Sequence, residues 1–364
     1  MTSIARKVWS VPTKGTFENL VLEDDLLPPP PPKHLRVQVK SIGLNFADIF
    51  SIFGLYSATP KGKFIPGLEF SGIIESVGDG LEESEWLGKR VYGATRFGGF
   101  ATFLNISEEY VKKTPDNWTD QQAAAYVVQA LTSFYALTEL GGISDNKTVL
   151  VHSAAGGCGL LALSICSKYK NVKVVGTVGK PSKLDLLNQK YAANENFTFI
   201  LRDPSSDFEK RSKQALLGIG LQEQDGYDII LDSVMGKWFW PNYNLLAKEG
   251  RLVLFGSASF TPTGNLHPIW NIFEWLKLGW KYIWRPKIDP MEIIQENKSL
   301  LGFNLIHIYE RAERLNQIFN NMQTLQLEAP HVGHEFEFDQ LVEALTLLQS
   351  GNTVGKVVLN VNFN

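Results

Sequence analysis

Hydrophobic positions repeat with two different periods along this chain, and the change of period divides it. Up to about residue 120 the apolar runs are short and are cut by Gly and Pro. Leu35 to Ile42, Gly72 to Gly78 and Arg90 to Gly93 each read as a strand. Many short strands with glycine turns predict a β-barrel-like unit. Pro28 to Pro32 is a stiff extended spacer between early strands; a ligand for a small adaptor module is the other reading of that run. Helical spacing then runs from Asp120 to Leu140 behind a Thr119/Asp120 capping signal. Lys147 to His152, a glycine turn, an apolar helix to about Tyr169 and the strand Val172 to Gly176 make a β-α-β unit. Tyr227 to Asp232 and Gly250 to Gly256 supply further strands. Strands alternating with helices predict an α/β fold with a parallel, doubly wound sheet. An amphipathic helix around Phe338 to Gln349 and a strand from Gly355 to Leu359 follow.

The turn inside the β-α-β unit carries the first chemistry. Ala154-Ala155-Gly156-Gly157-Cys158-Gly159 fits the dinucleotide fingerprint G-x-G-x-x-G with Ala154 in the first glycine position. Such glycines let the backbone approach a pyrophosphate at a helix N-terminus, and the last one lets helix and strand pack closely. About 20 residues on, a free ribose 2′-hydroxyl is usually met by an acid, whereas a 2′-phosphate needs positive charge. After Gly176 and Thr177 no acid appears before Asp185, while Lys180, Lys183 and Arg202 are available. This pattern favours NADPH; solvated charges at a helix start are the other reading of the lysines.

Composition narrows the picture. A length of 364 residues corresponds to about two domains. The 35 basic and 38 acidic residues give a net charge of −3, which supplies no global field for a nucleic-acid backbone. Two cysteines, Cys158 and Cys166, are too few for a disulfide framework and read as helix-packing residues. Residues 1–9 lack the apolar core of a secretory signal, and no apolar stretch reaches the roughly 18 residues of a bilayer span, so a cytoplasmic location is expected. His152, on the strand entering the turn, reads as a buried, hydrogen-bonded imidazole. No G-x-S-x-G elbow is present.

Four tryptophans, Trp270, Trp275, Trp280 and Trp284, crowd one segment. There Ile269, Phe273, Leu276, Trp280 and Ile283 form an apolar helical face, with Lys277, Lys281, Arg285 and Lys287 on its flank. Three readings stay open: a lid or dimer contact, a peripheral membrane contact through Trp270 to Trp284, and an aromatic substrate wall.

Five ordered motifs extend across the chain: Asn45 to Ile49, Gly54-Leu55-Tyr56, Pro66 to Gly72, Ala154 to Gly159 and Gly355-Lys356-Val357. Together they resemble the zinc-free quinone oxidoreductase (zeta-crystallin-like) branch of the medium-chain dehydrogenase/reductase superfamily. Val151 to Gly157 and Gly302-Phe303-Asn304 look closest to the synaptic vesicle membrane protein VAT-1 homologues within it. The resemblance implies a GroES-like β-barrel domain, 1–128 and 312–364, around a Rossmann domain, 129–311, with the aromatic insertion at about 265–290. It also implies a homodimer formed through an edge strand of the cofactor sheet.

The resemblance further implies a site. It puts the Asn45 amide and the Tyr56 hydroxyl beside the nicotinamide and the substrate oxygen. It puts Val128, Ala155, Gly156, Gly157, Cys158, Gly159, Gly176, Thr177, Lys180, Lys183, Arg202, Phe255, Gly256, Phe303, Asn304 and Lys356 along the cofactor. Two departures stand out: Ser164 replaces a usual glutamine, and Asp203 stands where a tyrosine often lies near the 2′-phosphate. Val128 replaces a threonine of some relatives. Alcohol-dehydrogenase relatives hold a catalytic zinc with a Gly-His-Glu motif, but here the motif is Gly67-Leu68-Glu69, and leucine cannot bind metal. Glu69 reads as structural and no metal site is expected. What remains is NADPH-dependent hydride transfer to quinones or enones, whose products delocalise negative charge unaided. The alternative is a VAT-1-like membrane-associated or lipid-handling protein with weak or vestigial reductase activity.

Overall fold

The computed structural model describes residues 2–203, 207–222, 225–262 and 272–362. Strands β1 (Ile4–Ser10), β2 (Val21–Leu27), β3 (His34–Gly43), β4 (Glu69–Val77), β5 (Arg90–Ala94), β6 (Phe103–Ser107) and β7 (Val111–Lys113) come first. Next are β8 (Thr148–His152), β9 (Lys173–Val178), β10 (Phe197–Leu201), β11 (Tyr227–Asp232), β12 (Leu246–Leu254) and β13 (Ser299–Gly302); β14 (Val332–Glu337) and β15 (Lys356–Asn360) end the series.

The early strands build a curled sheet around β3. This strand pairs antiparallel with β4 along one side; on the other its first half meets β6 and its last residues meet β15. Irregularities at Arg36/Val37 and Val39/Ser41 in the β3–β4 register bend the sheet. Leu35, Val37, Val39 and Ile42 bury their side chains with Phe70, Ile74, Val357 and Leu359 in one core. The sheet is therefore completed by a strand more than 300 residues further along the chain.

β8 to β13 form a parallel sheet in the order β10-β9-β8-β11-β12-β13. The strand order reverses between β8 and β11, from where successive strands are added on opposite sides, and ligands bind such sheets in the crevice at the carboxyl ends next to that switch point. Side chains alternate between two buried layers: Val149, Val151, Ile229 and Leu231 face one core, Leu150 and Ile230 the other. Burial on both faces explains why these strands read as continuous apolar runs.

The helical pattern from Asp120 to Leu140 is broken in the structure. A short helix, Asp120–Ala124, starts at Thr119 in a capping box with Gln122. A second, Val127–Phe134, continues into a π-turn, Tyr135–Leu140. The break has a cause in β4: the Glu69 carboxylate accepts the Val128 backbone N–H at 2.9 Å and caps a new helix start. Likewise β12 ends at Leu254, so Phe255 and Gly256 lie just past its carboxyl end.

Candidate active site between two sheets

β8 ends at His152, and the chain turns through Ser153, at φ 54°, into the helix Gly157–Cys166. No side chain caps this helix, so its first N–H groups are open to an anion. A Cβ on Gly159 would collide with the Ser153 carbonyl oxygen, and one on Gly157 would collide with Gln129 Oε1. Gln129 Oε1 is buried without a hydrogen-bond partner beside that turn. An uncapped helix start and a backbone left bare by glycine fit a dinucleotide pyrophosphate. The Cys158 thiol is pushed up to about 11, chiefly by burial, and stays protonated. Gly176 packs its bare Cα against Phe199, where a Cβ would lie 2.5 Å from the ring.

Facing the turn is a buried ionic cluster. Gly355 donates its N–H to the Ala155 carbonyl at 2.8 Å, which brings the start of β15 against the glycine turn. The next residue, Lys356, is 5% exposed and pairs its ammonium with Glu69, which is 0% exposed. Lys356 Nζ also donates to Asn45 Oδ1 at 2.7 Å, and Asn45 Nδ2 donates to Glu69 Oε1 at 2.9 Å. Asn45, Lys356 and Val128 are thus brought together by Glu69. Beneath them the Asp48 carboxyl accepts the backbone N–H groups of Asn45 and Gly67, at 2.8 and 3.2 Å. Burial raises its pKa to about 7.

Tyr56 and Asn304 tie the first unit to the segment after β13. The Tyr56 hydroxyl donates to Asn304 Oδ1 at 2.7 Å, joining segments 248 residues apart. Burial pushes Tyr56 up to about 12, so the hydroxyl keeps its proton at neutral pH. Phe303 sits between Tyr135 and Phe255, with ring centroids 4.9 and 6.1 Å away, and forms an aromatic wall after β12 and β13.

The basic residues lie at the carboxyl ends of β9 and β10. Lys180 Nζ is held by Asn352 Oδ1. Lys183 Nζ donates to the carbonyl oxygens of Gly351 and Thr353, at 2.7 and 2.6 Å. Arg202 Nη1 lies 3.2 Å from Thr177 Oγ1 and 3.3 Å from His152 Nδ1. His152 is 1% exposed, and burial lowers its pKa to about 4. The imidazole is thus the buried, hydrogen-bonded one read from the sequence, and it stays neutral at pH 7. Asp203, where relatives often have tyrosine, directly follows Arg202.

Of the aromatic segment, read above as a lid or dimer contact, a membrane contact or a substrate wall, the structure describes the part from Ile272 on. Trp270 and residues 263–271 lie outside the described residues. The helix Ile272–Ile283 that follows sets Leu278 against the first core and Lys281 on the Ser259 carbonyl at 2.6 Å. Its apolar face points outward: Phe273 is 80% exposed, Trp280 64% and Trp284 68%. Among the described residues no helix is long and apolar enough to cross a membrane.

Sequence reasoning missed how central Glu69 is, and missed Asp48, Gln129, Asn242 and Asp232 altogether. Glu69 carried a signal, because it stands in the Gly-Leu-Glu motif. Asp48 carried one too, standing three residues after Asn45 inside the Asn45 to Ile49 motif; Gln129, Asn242 and Asp232 show their role only once the strands are assembled.

Comparison with known proteins bears on this arrangement. The alcohol dehydrogenase GroES-like domain family matches residues 31–116, and the zinc-binding dehydrogenase family matches residues 198–359. The synaptic vesicle membrane protein VAT-1 homolog-like of Mus musculus is 28% identical over 353 residues, 95% of this chain and 79% of that protein. The quinone oxidoreductase from Thermus thermophilus, solved also as its complex with NADPH, superposes with a TM-score of 0.75 at 24% identity over 97% of this chain and 99% of that one. CurK enoyl reductase superposes with a TM-score of 0.76 at 23% identity, covering 98% and 99%. At that identity the two structures show a shared fold. The residues present do not fit a zinc centre: Leu68 replaces an imidazole, Lys356 occupies the Glu69 carboxylate, and no metal-binding group of three or more His, Cys, Asp or Glu exists among the described residues. The β-rich first unit, the six-stranded parallel sheet in its 3-2-1-4-5-6 order and both family matches agree: the chain belongs to the medium-chain dehydrogenase/reductase family of oxidoreductases.

Proposed function

We propose that this oxidoreductase uses NADPH to reduce quinones or the activated C=C bonds of enones, without a metal. The observation that carries the reading is the state of Glu69. Its carboxylate is neutralised by the Lys356 ammonium and fixes the Asn45 amide, next to an uncapped glycine-turn helix. A bound dinucleotide would lie along Ala155 to Gly159, Val128, Gly176, Thr177, Phe255, Gly256, Phe303 and Asn304, and it would supply a hydride. Acceptors that delocalise charge ask the protein for orientation and a hydrogen bond. Tyr56, protonated at neutral pH and donating to Asn304, would turn that donor to the acceptor oxygen. The NADPH complex of the Thermus enzyme and the enoyl reductase likeness support this reading. In it, residues 1–128 and 312–364 carry the acceptor side and 129–311 the cofactor side. The test is purified protein titrated with NADPH, then given a quinone and enone panel while NADPH absorbance is followed. Saturable binding and acceptor-dependent oxidation are expected; no nucleotide binding would sink the reading.

A second reading has its own observation, the outward apolar face of helix Ile272–Ile283. Aromatic and basic residues on one helix suit the interface of an anionic membrane. The VAT-1 homolog-like relative is named a membrane protein. Vesicle flotation of the wild type against Trp275→Ala, Trp280→Ala and Trp284→Ala decides it. A wild type left unbound by anionic vesicles removes the reading. Pairing with a second copy through β13, the terminal strand of the parallel sheet, is tested by light scattering, where a monomer contradicts it.

A further inference from the structure

We propose that Arg202, rather than Lys180 or Lys183, distinguishes a dinucleotide 2′-phosphate from a free 2′-hydroxyl in this chain; the inference rests on the NADPH reading above. Both lysines are already committed, Lys180 to Asn352 and Lys183 to the carbonyls of Gly351 and Thr353. These bonds fasten the start of helix Pro181–Lys190 to the segment that leads into Gly355 and Lys356. They make the lysines tethers of that segment.

Arg202 differs in every respect that matters for reading an anion. It follows β10 directly, and Thr177, which it touches, lies at the end of β9, about 20 residues past the glycine turn, where a ribose is met in such folds. Only Nη1 is hydrogen-bonded; Nε and Nη2 have no partner and the guanidinium no ion pair among the described residues. Nη2 faces Gly179, where an added Cβ would still be 3.7 Å away, so glycine leaves the outer edge of the fork uncovered. The Trp238 ring lies 5.8 Å from the guanidinium carbon.

The inner edge of the guanidinium is fixed by a directed chain of hydrogen bonds. Arg202 Nη1 donates to Thr177 Oγ1 at 3.2 Å and to His152 Nδ1 at 3.3 Å, the Thr177 hydroxyl donates to the same Nδ1 at 2.8 Å, and His152 Nε2 donates to Asn242 Oδ1 at 2.8 Å. Asn242 Nδ2 then donates to Asp232 Oδ2 at 3.1 Å. Asp232 is fully buried and also accepts the N–H groups of Val234 and Met235, at 2.7 and 2.8 Å. A carboxylate at the inner end can only accept, and this sets the direction of each link and the imidazole tautomer. Neutral His152 is required, and its burial supplies that.

A guanidinium held in this way is oriented before any ligand arrives, and its planar fork matches a phosphate as a flexible ammonium does not. With a 2′-hydroxyl the same cation gains no ionic partner, so NADH draws no affinity from it. Burial together with the neighbouring Lys180 and Arg202 charges lowers Lys183 to about 8, a crowding of positive groups that an arriving anion relieves.

The experiment is fluorescence titration of the full chain with NADPH and with NADH, for wild type, Arg202→Met, Arg202→Lys and Lys183→Ala, with thermal unfolding as the folding control. Arg202→Met is expected to weaken NADPH by roughly 10- to 100-fold while NADH stays within about threefold. Arg202→Lys keeps the charge but loses the fork, and decides the matter should the methionine variant not fold: a selective loss of about threefold to tenfold for NADPH is expected. Lys183→Ala is expected to lower both affinities together. Equal losses for the two nucleotides in both Arg202 variants, or a selective NADPH loss confined to Lys183→Ala, overturn the proposal. A wild type that binds both nucleotides equally overturns it while leaving a nicotinamide reductase standing. A wild type that binds neither overturns the functional reading and this inference together.

Discussion

Asp48 is a carboxyl group shut away from water beneath the candidate site, and burial raises its pKa from 3.8 to about 7 despite two backbone N–H donors and the nearby Lys356. Its folded pKa exceeds its unfolded one, so its contribution to stability is complete below about pH 4 and is lost as pH rises toward 7. The slope is about 1.4 kcal/mol per pH unit across that window. The stability difference between wild type and Asp48→Asn, from urea unfolding at several pH values, should fall with this slope from about pH 4.5 to 6.5; a flat difference would contradict the burial argument. The Glu69–Lys356 pair makes a second residue-scale prediction. Removing one partner leaves a buried charge unpaired, so Lys356→Met should cost about 3–5 kcal/mol, and Glu69→Gln added to it should recover much of that loss. Additive losses in the double variant would show that the two groups do not depend on each other.

Among the elements, the glycine-turn helix was legible and the ionic cluster opposite it was not. The turn is local: a strand, bare backbone and an apolar helix follow one another within about 20 residues, and each leaves a pattern in the sequence. Its glycines also predict outcomes. Gly159→Ala would press a methyl against the Ser153 carbonyl, a backbone atom that cannot rotate away, and should destabilise by about 1–3 kcal/mol, read as a lowered Tm. The break between Ala124 and Val127 was hidden, because Glu69, from a strand more than 50 residues earlier, causes it. The aromatic helix was legible as a helix but not in its orientation: periodicity finds an apolar face and is silent about which side the body takes. Changing Leu276 and Trp280 to Ser should leave folding stability within about 0.5 kcal/mol, since both are exposed, while lowering adhesion to vesicles or to other copies. A large stability loss would show that the outward face is packed in solution.

The two larger sheets of the molecule are sewn together by segments distant in sequence. β15 completes the first sheet, and the residue before it bridges to the glycine turn of the second, so the chain's end brings Lys356 between them. Fold class and the parallel sheet could be read from alternation alone. The pairing of Lys356 with Glu69, 287 positions apart, could not, and neither could the line from Arg202 through His152 and Asn242 to Asp232. The first ties β15 to β4 beside the glycine turn and the second holds a guanidinium at the end of β9; in the proposed reading the one serves the acceptor side and the other the choice of nucleotide. The most direct measurement is a single-turnover reaction of chelator-treated protein, premixed with NADPH and then mixed with a quinone. A metal-independent reductase consumes NADPH at the rate seen before chelation, and added zinc changes nothing. Loss of turnover on chelation with recovery on adding zinc, or no turnover with any quinone or enone despite tight NADPH binding, would contradict it.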